Sequence, residues 1–569
     1  MKRWKSGRSK ATLVVAASVY GAVVMLTALQ GHADDFAALS DGSGSGFLLK
    51  NVRPTPPSTI ANFIRDNNAA VILGKALFWD TQAGSDGQQA CASCHFHAGS
   101  DNRATNALHP GHNGLFDHTA TGQSGPNVTV TADDFPFHRL ADSNDNRSTV
   151  THDTDDDYGS QGVFFRSFNF VGASAVDNCT DQPDAVFNLN GRNVRRVTGR
   201  QASTTINAAF NFRNFWDGRA RENFNGVNPS GQTDPDARFY RTVNGVITPV
   251  AELIDHSSAA SQATGPTLSG VEMSCDGRTW PNVGRKLLLL TPLANQTVSP
   301  TDSVLGALVN TDGRGLDTSY AALIMTAFQT DLWNGTGTVT IGGTEFSQIE
   351  ANFSLFWGLA IQAYESTLVS DDAALDRYLT GNRSALSDDA IAGLDLFQGQ
   401  ARCVQCHSGP TFSRATASGG RSFVNIGVRP TAEDTGDVVV AGKGRFKVPT
   451  LRNIELLGPY YHNGGQATLR QVIDFYNRGG DFPDRDTDSQ IRPLGLSEAQ
   501  KHSLVSFLLS LTDDRVRFQR APFDHPELCL PNADDSPVAS PAAGCLQAVG
   551  ATGSATPLGT FLNLDPYQK

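Results

Sequence analysis

Apolar residues recur at helical spacing in several separate stretches of the chain. Ala390, Leu394 and Phe397 fall on one face of a helix. That helix is predicted to begin after Ser387, a residue type that caps helix N-termini, and to end before Gly399. The same spacing predicts further helices over residues 59–78, 346–368 and 496–511.

Other long stretches have no sustained period. Residues 100–182 are dense in Asp, Asn, Gly and Ser and are predicted to form a long irregular excursion. Residues 223–261 and 276–343 are predicted to be loop-like insertions, with a short strand over 337–341. The Pro-rich segment after Ala521 is predicted to be irregular. The pattern therefore predicts a mainly α fold with long irregular insertions and few short strands.

The composition and the first residues are typical of a folded, exported protein. Of 569 residues, 39% are hydrophobic and 18% are charged, which excludes a disordered chain. Five basic residues among the first ten precede an apolar stretch over 11–29 and small residues up to 33, the layout of a secretory signal peptide. The alternative is an uncleaved membrane anchor, since the apolar stretch is almost long enough to span a bilayer. Membrane contact is predicted only through this segment.

The charge of the chain excludes one class of partner. Its formal net charge is −12, and removal of five basic residues with the signal peptide would leave −17. Nucleic acid is therefore not a predicted partner, because it binds basic surfaces.

Eight cysteines in an exported chain are expected to be used covalently. Four of them form two copies of the pattern Cys-x-x-Cys-His, namely Cys91, Cys94 and His95, and Cys403, Cys406 and His407. Two thiols at this spacing can each bond to one vinyl group of a single porphyrin, and the following histidine is then held beneath the iron. We therefore predict two covalently bound c-type haems, with His95 and His407 as iron ligands.

Two other interpretations of the cysteine pairs are weaker. The pairs of a zinc ribbon are usually separated by about 15 to 20 residues and need no histidine after each pair. Here residues 94 and 403 are 309 positions apart. A thioredoxin-like redox pair would occur once, near a βαβ pattern. The remaining cysteines are predicted to form structural disulfides; Cys179 with Cys275 and Cys529 with Cys545 is one pairing, and the sequence leaves the connectivity open.

Further short motifs surround the two haem motifs in a fixed order. They are Leu73-Gly-Lys-Ala-Leu-Phe78, Asn214-Phe-Trp216-Asp-Gly-Arg219, Gln262-Ala-Thr-Gly-Pro266 with Glu272-Met273, Lys447-Val-Pro-Thr-Leu-Arg-Asn453 and Pro459-Tyr-Tyr-His462-Asn-Gly464. With these motifs the chain resembles the bacterial di-haem cytochrome c peroxidase and MauG family. The resemblance implies two cytochrome c-like haem domains. We predict a signal peptide over 1–33, an N-terminal peroxidatic haem domain over 34–345, a C-terminal electron-transfer haem domain over 346–520 and an irregular extension over 521–569.

The resemblance implies roles for three residues near the first haem. Glu272 matches the family glutamate that moves a proton between the two oxygens of hydrogen peroxide, which is general acid–base chemistry. Gln262 matches the amide that hydrogen-bonds the peroxide, and Trp216 matches the tryptophan between the haems that can pass electrons. The competing interpretations are that Glu272 is a surface carboxylate, that Gln262 is an ordinary polar residue and that Trp216 is a buried structural tryptophan.

The second haem of such peroxidases often has methionine as its other axial ligand. This chain has only four methionines, and alignment with the family from His462 onward places Tyr476 at the ligand position. Tyr476 is therefore the predicted iron ligand, as in MauG, and His462 is the alternative. The remaining interpretation is that Tyr476 only packs a helix.

Two other positions depart from the family pattern. The stretch that often carries a distal histidine at the first haem has Asn193 at the aligned position, so that iron is expected to be open, with His97, His109 and His112 as alternative ligands nearby in sequence. Gln201 takes the place of the asparagine that usually binds a calcium ion between the haems. The carbonyls of Leu457 and Pro459 match the other ligands, and glutamine also offers a carbonyl oxygen, so Ca²⁺ is a further candidate cofactor.

These features predict a periplasmic di-haem c-type oxidoreductase. Hydrogen peroxide would be reduced at the N-terminal haem with electrons passed through the C-terminal haem. A small donor protein, cytochrome c or cupredoxin, would supply the electrons in a peroxidase, whereas a protein or organic substrate would supply them in MauG-like oxidation. The alternatives are a non-enzymatic di-haem electron carrier and a di-haem oxygenase that acts on a large organic substrate.

Overall fold

The computed structural model describes residues 45–416, 422–436, 440–531 and 545–569. The predicted signal peptide lies outside these residues. None of the helices within them has the length and apolar character of a membrane span.

Short helices carry most of the regular structure in the described ranges. They are α1 Asn67–Trp79, α2 Ala92–His95, α3 Ser258–Ala263, α4 Trp280–Leu287, α5 Tyr320–Ala327, α6 Gln348–Ala351, α7 Phe353–Glu365, α8 Ala374–Leu379, α9 Asp388–Gln398, α10 Leu469–Arg478, α11 Glu498–Leu509 and α12 Asp514–Arg517. Helices with a few short strands agree with the predicted mainly α class.

The strands are two to five residues long and pair antiparallel in two-stranded sheets. The pairs are β1 Leu108–His109 with β4 Asp157–Tyr158, β2 His138–Leu140 with β3 Val150–Asp153, β5 Arg166–Phe170 with β6 Asn178–Asp181, β7 Asn188–Leu189 with β8 Arg192–Asn193, β9 Phe239–Val243 with β10 Val246–Val250, β11 Thr338–Ile341 with β12 Thr344–Ser347, β13 Phe423–Val424 with β14 Phe446–Lys447, and β15 Leu528–Cys529 with β16 Cys545–Leu546.

The insertions contain more regular structure than the sequence predicted. Residues 100–182, expected to be irregular, include β1 to β6, and residues 276–343 include α4 and α5. The prediction missed the strands because several of them are exposed on both faces; β3, for example, has no buried residue. Such strands show no alternation of apolar and polar residues. The predicted strand over 337–341 is confirmed as β11.

The long predicted helices are confirmed with shorter bounds. The Ser387 hydroxyl accepts a hydrogen bond from the backbone N–H of Ala390 at 3.2 Å and so caps α9 as expected. The apolar run over 346–368 is divided into α6 and α7 at Asn352, whose side-chain amide donates to the carbonyls of Tyr240 and Leu332 at 2.6 and 2.7 Å. The helix predicted over 59–78 begins only at Asn67.

Two large hydrophobic clusters hold the helices together. In the first, α1 and α7 cross so closely that a Cβ on Gly74 would lie 1.9 Å from the carbonyl oxygen of Ala360. In the second, α9 and α11 cross at Gly393, where a Cβ would lie 2.0 Å from the oxygen of Ser503. Helix α7, which follows the predicted domain boundary at 345/346, packs in the first cluster, and the boundary stays a prediction.

Within 521–531 and 545–569 the C-terminal extension contains the short pair β15–β16, is otherwise mostly irregular, and packs against the rest of the protein. The Nζ of Lys75 on α1 lies 3.4 Å from an oxygen of Asp524, and the His525 ring stacks on Trp79 with centroids 4.8 Å apart. The four cysteines outside the haem motifs form disulfides between Cys179 and Cys275 and between Cys529 and Cys545. The pairing suggested from the sequence is therefore confirmed.

Candidate functional site

The first Cys-x-x-Cys-His motif forms the short helix α2 and its N-cap. Cys91 caps this helix, and His95 is its last residue. The Nδ1 atom of His95 is hydrogen-bonded to the carbonyl oxygen of Gly99 at 2.9 Å. Burial lowers the pKa of His95, which keeps the imidazole neutral. A neutral ring that donates from Nδ1 leaves the Nε2 lone pair available to a metal.

The second motif has the same arrangement of side chains but a different backbone conformation. Cys403–Gln405 is a 3₁₀ turn. His407, which follows it, uses Nδ1 to bond the carbonyl oxygen of Phe412 at 3.0 Å. Burial lowers the pKa of His407 to about 4, so this imidazole is also neutral at physiological pH. Both histidines therefore present Nε2 as a ligand atom, which is the arrangement that a haem iron requires.

The environment of the motif thiols does not favour redox chemistry. Burial raises the pKa of Cys94 and of Cys403 to about 12 in each case, and it also raises the pKa of Cys91. A reactive redox pair instead has a thiol with a lowered pKa near a positive charge. The thiols thus fit covalent attachment of a cofactor better than disulfide exchange.

A large cavity opens beside the second motif. Cys403, Cys406 and His407 line one side of it, and Tyr476 also lines its wall. Its empty space amounts to about 1760 Å³, solvent at its mouth included. Apolar side chains of α10 and α11 complete the wall, including those of Leu469, Ile473, Leu504 and Leu508. An apolar cavity of this kind suits the flat hydrophobic face of a porphyrin.

Lys447 gives independent support for a cofactor with negative charge in this cavity. The residue is 5% exposed, and burial lowers its pKa to about 8. Within the described ranges its ammonium group has no ion pair, and its Nζ lies 6.0 Å from the centroid of Trp216. A buried cation without an anion is costly. The two carboxylates of a haem are suitable partners.

The two candidate ligands of the second iron, Tyr476 and His462, have different surroundings. The Nε2 atom of His462 is hydrogen-bonded to Asp434, and its ring stacks on Phe446 with centroids 3.7 Å apart. His462 thus already uses Nε2 in a hydrogen bond. Tyr476 lies on α10 in the same cavity as His407, next to Tyr461, with ring centroids 6.3 Å apart. Burial raises the pKa of the Tyr476 phenol, so a phenolate there would need a metal cation beside it.

Trp216 lies in the wall of the cavity beside the second motif, called the second cavity below, and is held by hydrogen bonds. Its indole Nε1–H donates to the carbonyl oxygen of Gln201 at 2.8 Å, and its own carbonyl accepts from the N–H of Lys447 at 2.6 Å. Its ring meets that of His462 edge-on with centroids 6.0 Å apart. The side chain is therefore both packed and oriented, as an electron-transfer residue should be.

The three residues matched to the inter-haem calcium site lie along the same cavity. Gln201, Leu457 and Pro459 all line the second cavity. The side-chain amide of Gln201 donates to Ser100 Oγ at 3.0 Å, and its backbone N–H donates to the His462 carbonyl at 2.9 Å. The carbonyl end of the amide is the part that a hard cation would use.

Glu272 is electrostatically coupled to the first motif. Burial raises the pKa of its carboxyl, while a hydrogen bond with Ser269 and the charge of Arg219 act in the opposite direction. The carboxylate in turn raises the pKa of Cys91 and Cys94, which places it near the first haem-attachment site. Gln262 lies on α3 and is partly buried, and the 3₁₀ turn Pro266–Leu268 connects it to the Glu272 turn.

The sequence of this chain is similar to those of known proteins. A family model described as di-haem cytochrome c peroxidase matches residues 68–384, which is more than half of the 569-residue chain. The chain belongs to the di-haem cytochrome c peroxidase family. The match covers the first haem motif, Trp216, Gln262 and Glu272, and it ends before the second motif.

Curated relatives cover part of this family member. The cytochrome c551 peroxidase of Nitrosomonas europaea is 36% identical over 191 residues, which are 32% of this chain and 50% of the relative. The methylamine utilization protein MauG of Methylorubrum extorquens is 35% identical over 158 residues, which are 27% of this chain and 42% of the relative. The chain thus spans about half the length of the curated relatives it matches.

Solved structures of similar proteins extend over more of the chain at lower identity. A crystal structure of a MauG-like protein associated with microbial copper homeostasis is 18% identical and covers 84% of this chain and 97% of its own, with a TM-score of 0.44. The di-haem peroxidase BthA from Burkholderia thailandensis is 16% identical and covers 80% of this chain and 88% of its own, with a TM-score of 0.41.

Asn193, at the position aligned with the distal histidine, and the three histidines named as alternative ligands of the first iron lie in different surroundings. The side-chain amide of Asn193 donates to the Gln182 carbonyl at 2.6 Å within the β7–β8 region. His97 bonds the Gly559 carbonyl through Nε2 at 3.0 Å. The His109 ring lies against Phe187 with centroids 5.9 Å apart, and His112 is exposed. The open first iron stays a prediction.

Sequence reasoning missed Glu365 in this family member. This carboxyl is 6% exposed, its Oε2 has no hydrogen-bond partner among the described residues, and burial raises its pKa to about 8. Its charge contributes to the raised pKa of Cys91, so it lies near the first haem motif. Its position at the end of a helical apolar run gave no sign of this in the sequence.

Proposed function

We propose that this protein is a periplasmic di-haem peroxidase that reduces hydrogen peroxide. The observation that carries the proposal is the pair of Cys-x-x-Cys-His motifs, each with a neutral histidine that leaves Nε2 available, together with the half-buried carboxyl of Glu272 near the first pair. A bound c-type haem supplies an iron that exchanges electrons with peroxide. The rest of the chemistry belongs to side chains of this chain.

Proton transfer at the first centre is assigned to Glu272. Reduction of peroxide to water requires a proton at the departing oxygen, and a carboxylate that is ionised at rest can take it from one oxygen and return it to the other. The raised pKa of Glu272 brings proton release closer to neutral pH, which suits this exchange. Gln262 is assigned to orient the peroxide by a hydrogen bond.

Electron supply is assigned to the second centre. His407 and Tyr476 would hold the iron of a haem there, Lys447 would pair with a haem carboxylate, and Trp216 would pass electrons between the two centres. Gln201 and the carbonyls of Leu457 and Pro459 are proposed to hold Ca²⁺ beside Trp216. These side chains share one cavity wall, which supports their acting together.

We propose a division into two haem domains with α7 assigned to the first, because it packs there. The electron donor is proposed to be a small cytochrome c or cupredoxin with a basic surface. Opposite charge would steer it to this acidic chain. A protein or organic electron donor remains the second option, by similarity to MauG.

The test is rapid mixing of the purified di-haem protein with hydrogen peroxide, followed by steady-state turnover. We expect a change in the Soret band on mixing and oxidation of reduced cytochrome c or cupredoxin that depends on peroxide. Added catalase should abolish the turnover. An unchanged Soret band with no turnover would identify an electron carrier instead, and substrate cleavage that needs oxygen and no peroxide would identify an oxygenase.

A further inference from the structure

Three carboxylates of the first long insertion converge outside the proposed haem chemistry. Asp117 lies in the loop after β1, and Asp155 and Asp156 lie between β3 and β4. One oxygen of each lies within 4.8 Å of the others. Oxygen ligands on opposite sides of a calcium ion, each about 2.3–2.6 Å from the metal, are separated by a similar distance.

Asp156 supplies an independent indication of a ligand. Its side chain is buried, with 3% of the residue exposed, and its Oδ1 has no hydrogen-bond partner among the described residues. Its Oδ2 accepts from the N–H of Asp117 at 3.2 Å. A buried carboxylate oxygen without a donor is unfavourable, and a cation at that oxygen would remove the penalty.

The local charges do not balance without a cation. The acidic neighbours in sequence, Asp153 and Asp157, each have an arginine partner. In the part of the chain that the structure describes, no ion pair reaches Asp117, Asp155 or Asp156. Burial, together with the charges of Asp117 and Asp155, raises the pKa of Asp156 to about 7.

Hydrogen bonds hold the carboxylates in place from both loops. Asn113 donates to Asp155 with its backbone N–H at 2.8 Å and its side-chain amide at 2.6 Å. Asp117 accepts from the N–H of Asp155 at 3.3 Å. A Cβ on Gly111 would lie 1.5 Å from the Asp155 carbonyl oxygen, so the loops are in direct contact. The ligand atoms are therefore oriented before any ion binds.

We propose that Asp117, Asp155 and Asp156 form a Ca²⁺ site that fixes the loop after β1 to the loop before β4. A hard cation suits three carboxylate oxygens. His118 and His152 line the small cavity beside Asp117 and Asp156, but no ring nitrogen belongs to the converging set, which favours Ca²⁺ over Zn²⁺. The site is separate from the one proposed at Gln201 and does not depend on peroxidase activity.

The first experiment counts calcium in the di-haem holoprotein. Protein stripped with EDTA is titrated with CaCl₂ by calorimetry, and bound metal is measured by mass spectrometry. We expect the double variant Asp117→Asn/Asp156→Asn to bind one equivalent less than the wild type. Asp133→Asn, which removes an exposed acid of the same insertion, is the matched control and should bind as the wild type does.

A second measurement separates lost binding from lost folding. In EDTA the double variant should melt at or above the temperature of the wild type, because two neutral amides relieve repulsion between the carboxylates. With excess CaCl₂ the order should reverse, since only the wild type gains stability from this site. An equal gain in both proteins, an unchanged calcium stoichiometry, or uptake of Zn²⁺ but not Ca²⁺ would each overturn the proposal.

Discussion

At the scale of single residues, the two motif histidines owe their chemistry to the backbone that follows them. His95 bonds a carbonyl four positions later, and His407 bonds one five positions later. Each bond fixes Nδ1 as the protonated nitrogen and Nε2 as the ligand atom. The motif predicts the residue types, whereas the backbone path to Gly99 and Phe412 determines which ring nitrogen is available.

Glu272→Gln should remove proton transfer and leave haem attachment intact. We expect kcat/KM for peroxide to fall by about 10²–10⁴-fold, the usual contribution of a general acid–base group. Because the carboxyl must be ionised to accept a proton, wild-type activity should fall as pH drops through its pKa. That pKa is raised, so the fall should begin at a higher pH than for an ordinary glutamate. A pH profile of peroxide turnover measures both effects.

Glu345→Gln is the control for this experiment, because Glu345 is exposed and the substitution removes the same charge. It should leave the profile unchanged. A Glu272→Gln protein that kept wild-type turnover and the same acid limb would refute the assigned role.

Tyr476→Phe should change the coordination of the second iron. Loss of a phenolate ligand should raise the reduction potential of that haem, because the anion stabilises the ferric state. Its electron paramagnetic resonance signal should change as well. Tyr460→Phe removes another hydroxyl from the wall of the same cavity and should leave the signal as it is. If Tyr476→Phe has no effect, His462 or another group is the ligand.

At the scale of elements, close helix crossings position the two haem motifs. Each crossing depends on a glycine that faces the backbone of the partner helix. The α9–α11 crossing lies next to the second motif, since Cys403 packs against the same cluster as Phe397. The periodicity of both helices predicted their buried faces, but only the packed structure shows which residue must lack a side chain.

Gly393→Ala should destabilise this crossing although alanine is the better helix former. The added methyl group would meet the Ser503 carbonyl, and we expect a cost of about 1–3 kcal/mol in the free energy of unfolding. Denaturant unfolding followed by the Soret band of the second haem measures it. Ala392→Ser on the exposed side of the same helix should change stability by less than about 0.5 kcal/mol. Equal stabilities of the two variants would contradict the close crossing.

At the scale of the whole molecule, the C-terminal extension is a structural part of the protein. Phe561 is 1% exposed and packs edge-on against Tyr158 of the first insertion, with centroids 5.6 Å apart. Tyr158 in turn donates its backbone N–H to the carbonyl of Asn463, near His462 of the second cavity. The tail and the insertion therefore support one wall of the candidate site.

Phe561→Ala should cost about 3–5 kcal/mol of folding stability, the usual loss for a large buried aromatic. Thermal unfolding of the holoprotein measures the change. Phe170→Ala is the matched control, because Phe170 on β5 is 59% exposed. Loss of this side chain should shift the melting temperature little. A Phe561→Ala protein that melted like the control would mean that the tail is dispensable.

Chemistry that depends on local spacing could be predicted from the sequence. The sequence shows the two Cys-x-x-Cys-His motifs and the apolar faces of α9 and α11, because each depends on residues close together along the chain. The scarcity of methionine follows directly from the composition. Contacts between residues far apart in sequence became visible only in the folded protein. In the folded protein α7 packs in the first core and His462 is hydrogen-bonded to Asp434. Lys447 is buried with no anionic partner among the described residues, and Asp117 lies close to Asp155 and Asp156. Burial and unmatched charge arise only when distant segments pack together, and no local pattern records them.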